Sequence, residues 1–134
     1  MSIALQYTHI TVHDVEESIA FYRDALGLEV MQDVSSGGHR WLTFGTDSQP
    51  GLGIVLSDPH AGRSQADGDA LQELLAKGAL PNIVFSTDDL DAAFERVRAS
   101  GAEVLQEPMD PGYGTRDCAF RDPSGNMVRV AQAA

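Results

Sequence analysis

Few side chains in this sequence have the chemistry to act on, or hold, another molecule. The histidines are His9, His13, His39 and His60, the one cysteine is Cys118, and Lys77 is the single lysine among nine basic residues. No Gly-rich loop runs into a lysine to cradle phosphate, no GxSxG elbow presents a serine, and there is no CxxC pair. Asp67-Gly68-Asp69 is too isolated for a calcium loop. His9 and His13 lie on one face of an extended stretch, but four residues apart means ~13 Å at the rise of a strand, too far to share an ion. Cys118 has no cluster of positive charge nearby, so it reads as a small buried residue and not as a reactive thiol.

What remains is a set of polar and aromatic residues at alternate positions of strand-like runs. His9 sits in LQYTHITVH with Tyr7 and Thr11 on its face. Arg129 sits in NMVRV beside Met127, Asn82 and Val84 alternate in LPNIVFST, and Val55 lies in GLGIVLS. His9 is either a hydrogen-bonded polar residue or a ligand-binding or acid–base group, and it is the best catalytic candidate. Arg129 either pairs with an internal carboxylate (Asp117, Glu103 or Asp122) or keeps its fork of donors open to an anionic ligand. Trp41, in RWLTF, is core packing or a flat wall for an aromatic molecule. Tyr113 stands between Gly112 and Gly114, an ordinary turn or a lid. Arg116, just beyond, is a candidate for the rim.

Apolar periodicity shows what would position these groups. After a strand at 5–13, Asp14 can cap a helix whose first turn holds Glu16 and Glu17. Val15, Ile19, Tyr22 and Leu26 recur at helical spacing, and Gly27 stops the run. Strands follow near 28–31, 40–46 and 51–57. The second half repeats this: a strand at 80–87, a helix capped near Asp88 with Leu90, Phe94 and Val97 on one stripe, then Gly101 and strands at about 102–107, 115–121 and 126–132. Gly27-Leu28-Glu29-Val30 matches Gly101-Ala102-Glu103-Val104, His9-Ile10 matches Asn82-Ile83, and Val55-Leu56 matches Arg129-Val130. Each half therefore reads βαβββ.

The pattern predicts one α+β domain over 1–134, with tandem modules at about 1–57 and 80–134. A linker at 58–79 carries a short helix from Asp69 to Lys77, with Leu71, Leu74 and Leu75 pointing one way. Ile10, Val12, Ile83, Phe85, Val128 and Val130 would lie beneath the helices. The opposite, concave faces would form a trough lined by Tyr7, His9, Thr11, Val55, Asn82, Val84, Met127 and Arg129.

Three segments, THITVHDVEESIAFYRDALGLEV, LPNIVFSTDDLDAAFERVRASGAEV and YGTRDCAFRDPSGNMVRV, resemble the vicinal oxygen chelate superfamily, and the likeness spans nearly the whole chain. That superfamily holds glyoxalase I, extradiol dioxygenases, fosfomycin-resistance transferases, methylmalonyl-CoA epimerase and the metal-free bleomycin-resistance proteins. The resemblance implies paired βαβββ modules with curved sheets. In the family's metalloenzymes four inward positions hold a divalent ion. Those positions here look like His9, Val55, Asn82 and Arg129, and only His9 is a typical ligand. A guanidinium ~4 Å from a cation repels it by about 4 kcal/mol at an effective dielectric near ~20. The resemblance thus leads to an expectation of no metal and no cofactor, with the charge of Arg129 standing in for that of the ion.

Composition limits the partners. Nine basic against twenty acidic residues give 9 − 20 = −11, a field that repels nucleic acid and anionic membrane. The absence of a long apolar run or a signal-like N-terminus, and the lone cysteine, suit the cytoplasm. The expected function is metal-independent binding of a small organic molecule, anionic or aromatic, in the manner of a bleomycin-resistance-type binder. The alternative is a glyoxalase-like lyase or isomerase, or a dioxygenase-type enzyme, with a displaced metal site. A homodimer is expected, because curved sheets with open edges are commonly completed by a partner.

Overall fold

The computed structural model describes residues 2–110, 112 and 114–134. Strand β1 (Tyr7–Thr11) leads into helix α1 (Val15–Ile19), where Asp14 Oδ1 accepts from Glu17 N at 3.2 Å and closes one orphan amide of the first turn. The helix widens into a π-helical turn over Ala20–Ala25, in which Leu26 N donates to Phe21 O, five residues back, at 3.0 Å. Phe21, Tyr22 and Ala25 of this turn are buried in the interior. The predicted helix over 15–26 is therefore two kinds of helix in sequence.

Strands β2 (Glu29–Ser36), β3 (His39–Gly45) and β4 (Gly53–Ser57) complete the first module. The sheet order is β1-β4-β3-β2, with β1 parallel to β4 and the other pairs antiparallel. The second module repeats it with β5 (Ile83–Thr87), α3 (Leu90–Ala99), β6 (Glu103–Met109), β7 (Asp117–Arg121) and β8 (Met127–Gln132), in the order β5-β8-β7-β6. Asp89 caps α3 through Ala92 N at 3.1 Å. Between the modules, α2 (Gln65–Ala76) starts four residues earlier than periodicity suggested, because Ser64 supplies its cap to Asp67 N at 3.1 Å. Leu75 is buried there, while Leu74 faces solvent, so the three leucines do not share one direction.

One hydrophobic cluster joins both modules, with Ile10, Val12, Leu42, Phe44 and Leu56 from the first and Leu90, Phe94, Phe120, Val128 and Val130 from the second. Ile83 and Phe85 pack against it, as the alternation predicts. Phe94 stacks on Phe120 with ring centroids 5.6 Å apart.

The Asp122-Pro123-Ser124-Gly125-Asn126 turn fastens the modules together. Asp122 Oδ1 accepts from the amides of Ser124, Gly125 and Asn126 at 2.9, 2.9 and 2.8 Å. Its Oδ2 accepts from Tyr22 Oη at 2.6 Å and from Asn126 Nδ2 at 2.9 Å. Asn126 Nδ2 also donates to Thr11 O at 2.9 Å, and His13 N donates to Ser124 Oγ at 2.8 Å. Burial, together with the neighbouring Asp122 charge and hydrogen bond, pushes the Tyr22 hydroxyl well above its ordinary pKa. Gly125 has φ +115°, and a Cβ there would come within 2.5 Å of Leu75 O, so the turn both needs glycine and presses against the end of α2.

Candidate functional site

On the helix-free face of the first sheet, β1, β4 and β3 place His9 opposite Val55 and Val55 opposite Thr43. The Tyr7 ring lies across Gly53, where a Cβ would meet Tyr7 Cδ1 at 2.8 Å and Thr43 Cγ2 at 3.0 Å. Glycine at this position lets the ring lie flat on the strand. Trp41, two residues before Thr43, reaches toward the linker, close enough for a Cβ on Gly62 to meet its Cη2 at 3.9 Å. Tyr7 and His9 are exposed, Trp41 is half-buried and Val55 is buried.

The corresponding face of the second sheet carries a polar network. Arg129 Nη1 donates to Asp117 Oδ2 at 2.9 Å and to Gln106 Oε1 at 3.2 Å. Gln106 Nε2 in turn donates to Asp117 Oδ1 at 2.9 Å. Of the three carboxylates considered for Arg129, Asp117 is the one that reaches it. Glu103 stands 3.6 Å from Arg121, and Asp122 is spent on the turn. The Arg129 charge is thus balanced from within, which corrects the expectation of an open cation at this position.

Gln106 escaped the alternation argument. A register shift between Val104 and Gln106 makes Leu105 an extra residue, so Val104 opposes Phe120 while Gln106 opposes Ala119, beside Arg129. The first module has the same shift between Val30 and Gln32.

The modules superpose differently from the sequence match. His9 opposes Val55, and Val84, not Asn82, opposes Arg129. The structural counterpart of His9 is therefore Val84. The four family positions become His9, Val55, Val84 and Arg129, offering one imidazole, two side chains without donor atoms and one cation. This donor set does not fit a divalent ion. Among the described residues, no group of three or more His, Cys, Asp or Glu side chains comes together to hold a metal.

Met127 is half-buried on β8, opposite Arg121. Arg116 does not serve the trough, because its Nη2 pairs with Asp91 of α3 at 3.1 Å, on the helix side of the sheet. Tyr113 lies outside the described residues. Cys118 is buried, and burial with the neighbouring Asp117 charge pushes its thiol up to about 11, which leaves it unreactive as expected.

Three cavities differ in charge. The largest, about 900 Å³, lies on the helix side between the π-helical turn, α2 and the Asp122 turn, and is lined by Asp24, Glu103 and Asp122. A second, about 770 Å³, carries Asp88 and Asp89. The third, about 530 Å³, lies between edge strands β1 and β5, and the linker adds Arg63 and Leu71 to its wall. It brings His9, Asn82 and Val84 together with Arg63, which the sequence reading passed over. No periodic signal marks Arg63, since it lies in the polar loop before Ser64.

Paired βαβββ modules with this strand order define the class, and the sequence agrees. The chain belongs to the Glyoxalase/Bleomycin resistance protein/Dioxygenase superfamily, whose profile matches residues 4–130. It is similar to the crystal structure of UcmS2, at 30% identity and TM-score 0.88, over 99% of this chain and 100% of that one. TnmS3, an antibiotic binding protein from Streptomyces sp. CB03234, superposes with TM-score 0.77 at 25% identity, over 100% of this chain and 99% of that one. A probable lactoylglutathione lyase of Vibrio cholerae serotype O1 (strain ATCC 39315 / El Tor Inaba N16961) is 27% identical over 131 residues, covering 94% of this chain and 88% of that protein.

Proposed function

We propose that this chain is a cytoplasmic homodimer that binds a small aromatic or anionic organic molecule on its helix-free sheet faces, without a metal ion. The observation that carries this reading is the filling of the family's ligand positions. Val55 and Val84 have no donor atoms, and the Arg129 charge is paired with Asp117, with Gln106 on the same nitrogen. What the faces do offer is flat and apolar surface from Tyr7, Trp41, Val84 and Met127, with hydrogen-bonding groups from His9, Thr43, Asn82 and Gln106. The likeness to TnmS3, named as an antibiotic binding protein, supports a binder. The enzymatic alternative rests on His9, an exposed imidazole with no hydrogen-bond partner among the described residues, and on the likeness to a probable lactoylglutathione lyase.

The two readings separate by calorimetric titration with a panel of aromatic quinones and aryl carboxylates. The protein is tested after chelator treatment and again after reloading with zinc or nickel. A binder gives the same affinity in both states. Binding or lyase turnover that appears only on reloading overturns the proposal in favour of the metalloenzyme.

A further inference from the structure

Six of the arginines face a carboxylate. Arg23 pairs with Asp24, Arg40 with Asp33 and Glu16, Arg98 with Glu95, Arg116 with Asp91, Arg121 with Glu103 and Arg129 with Asp117. Arg63 and Arg96 have no carboxylate partner among the described residues. Arg96 spends its Nη2 on the Asp24 carbonyl, at 3.0 Å. Arg63 is held differently: its Nη1 donates to Pro59 O at 3.2 Å and Ala61 O at 3.4 Å, so one corner of the fork is tied to the loop's own backbone. Its Nε and Nη2 have no partner among the described residues. The loop is itself fixed, because Asp58 bonds His39 Nδ1 at 2.7 Å and His60 N at 2.8 Å, and Ser64 caps α2.

Arg63 lines the one cavity of the three that has no acidic residue in its wall. In a chain with twenty acidic side chains, the space shared by Arg63, His9, Thr8, Thr11, Asn82 and Asn126 holds none. Its apolar surface includes Ile54, Leu71, Leu80, Pro81 and Val84. Anchoring one edge of a guanidinium while leaving the other open pre-organises it for a planar oxygen pair, and no carboxylate in the cavity wall pairs with its charge.

We propose that Arg63 is the anion-binding residue of the ligand site, with His9 and Asn82 completing a pocket for a flat apolar molecule that bears one carboxylate or ionised enol-type oxygen. This rests on the small-molecule binding reading above and moves its charged end from Arg129 to the linker. The linker then does more than join the modules, because it brings a cation without a carboxylate partner among the described residues, whereas Arg40, Arg121 and Arg129 of the sheets are paired.

The test uses naphthoate and its neutral isostere naphthamide, titrated against the full chain by heteronuclear NMR and calorimetry. Wild type is expected to prefer naphthoate, with the amides of His9 and Asn82 shifting. Arg63→Gln should weaken naphthoate about tenfold and leave naphthamide unchanged, Arg63→Lys should keep most of the preference, and Arg96→Gln should change neither. Loss of the preference in Arg129→Met but not in Arg63→Gln overturns the assignment and leaves the binding reading standing. So does equal affinity for the two probes. If neither probe binds, the Arg63 pocket fails as defined, while the binding reading stands or falls on the wider panel.

Discussion

Asp58 ties its proton affinity to the stability of the loop that carries Arg63. Burial alone would raise its pKa, but the hydrogen bond from His39 and those from the His60 and Ala61 amides outweigh this and hold it below the ordinary value of 3.8. A depressed carboxylate stabilises the fold fully above its unfolded value and loses that contribution as pH falls through the folded one. Asp58→Asn should therefore cost about 1–3 kcal/mol near neutral pH. The gap from wild type should close as pH drops below 3.8, measured by urea denaturation at a series of pH values. An undiminished gap in acid would show that the loop depends on the side chain's shape and not on its charge. The pairing itself was invisible in the sequence, where His39 and Asp58 stand nineteen residues apart on different strand ends. Arg129 teaches the same point more sharply. Alternation predicted its face, and composition narrowed its partners to three carboxylates, but only the strand register decides that Asp117 reaches it.

The elements most legible in the sequence were those with an unbroken period. Ile10, Phe85, Val128 and Val130 were placed on the covered face because each lies in a strand without irregularity. Periodicity failed where the backbone gains a residue. The shifts in β2 and β6 bring Gln32 and Gln106 to the open face, and at the π-helical turn Phe21 joins the predicted Tyr22 in the core. Each is a change of phase that a fixed repeat has no means to show. The π-helical turn also has an energetic test, since it delivers the Tyr22 hydroxyl to Asp122. Tyr22→Phe removes one donor from a buried carboxylate that keeps four others, and should cost about 1–3 kcal/mol in equilibrium denaturation. A cost near zero would mean that the turn's own amides and Asn126 satisfy Asp122 without help from the helix.

At the scale of the whole molecule, apolar surface is left uncovered along the sheet faces and the N-terminal segment. Ile3 is 93% exposed, Leu5 66% and Met31 64%, a set that a second copy of the chain would cover. Sedimentation equilibrium should give twice the chain mass of 14.4 kDa, and a mass that stays at 14.4 kDa as concentration rises refutes the homodimer. The net charge of −11 opposes that association over long range, so the dimer should tighten with added salt. Among the described residues, no helix is long and apolar enough to cross a membrane. The fastening of the modules also has a consequence for synthesis. Tyr22 Oη, His13 N and Thr11 O find their partners 100, 111 and 115 residues downstream. A ribosome making ~5–20 residues per second exposes the finished first module for several seconds before the Asp122 turn emerges. Throughout that interval water must satisfy these three groups, and the first half waits half-latched for the second. The two halves are alike in shape, but in time they are unequal: one is made to wait, and the other arrives to close it.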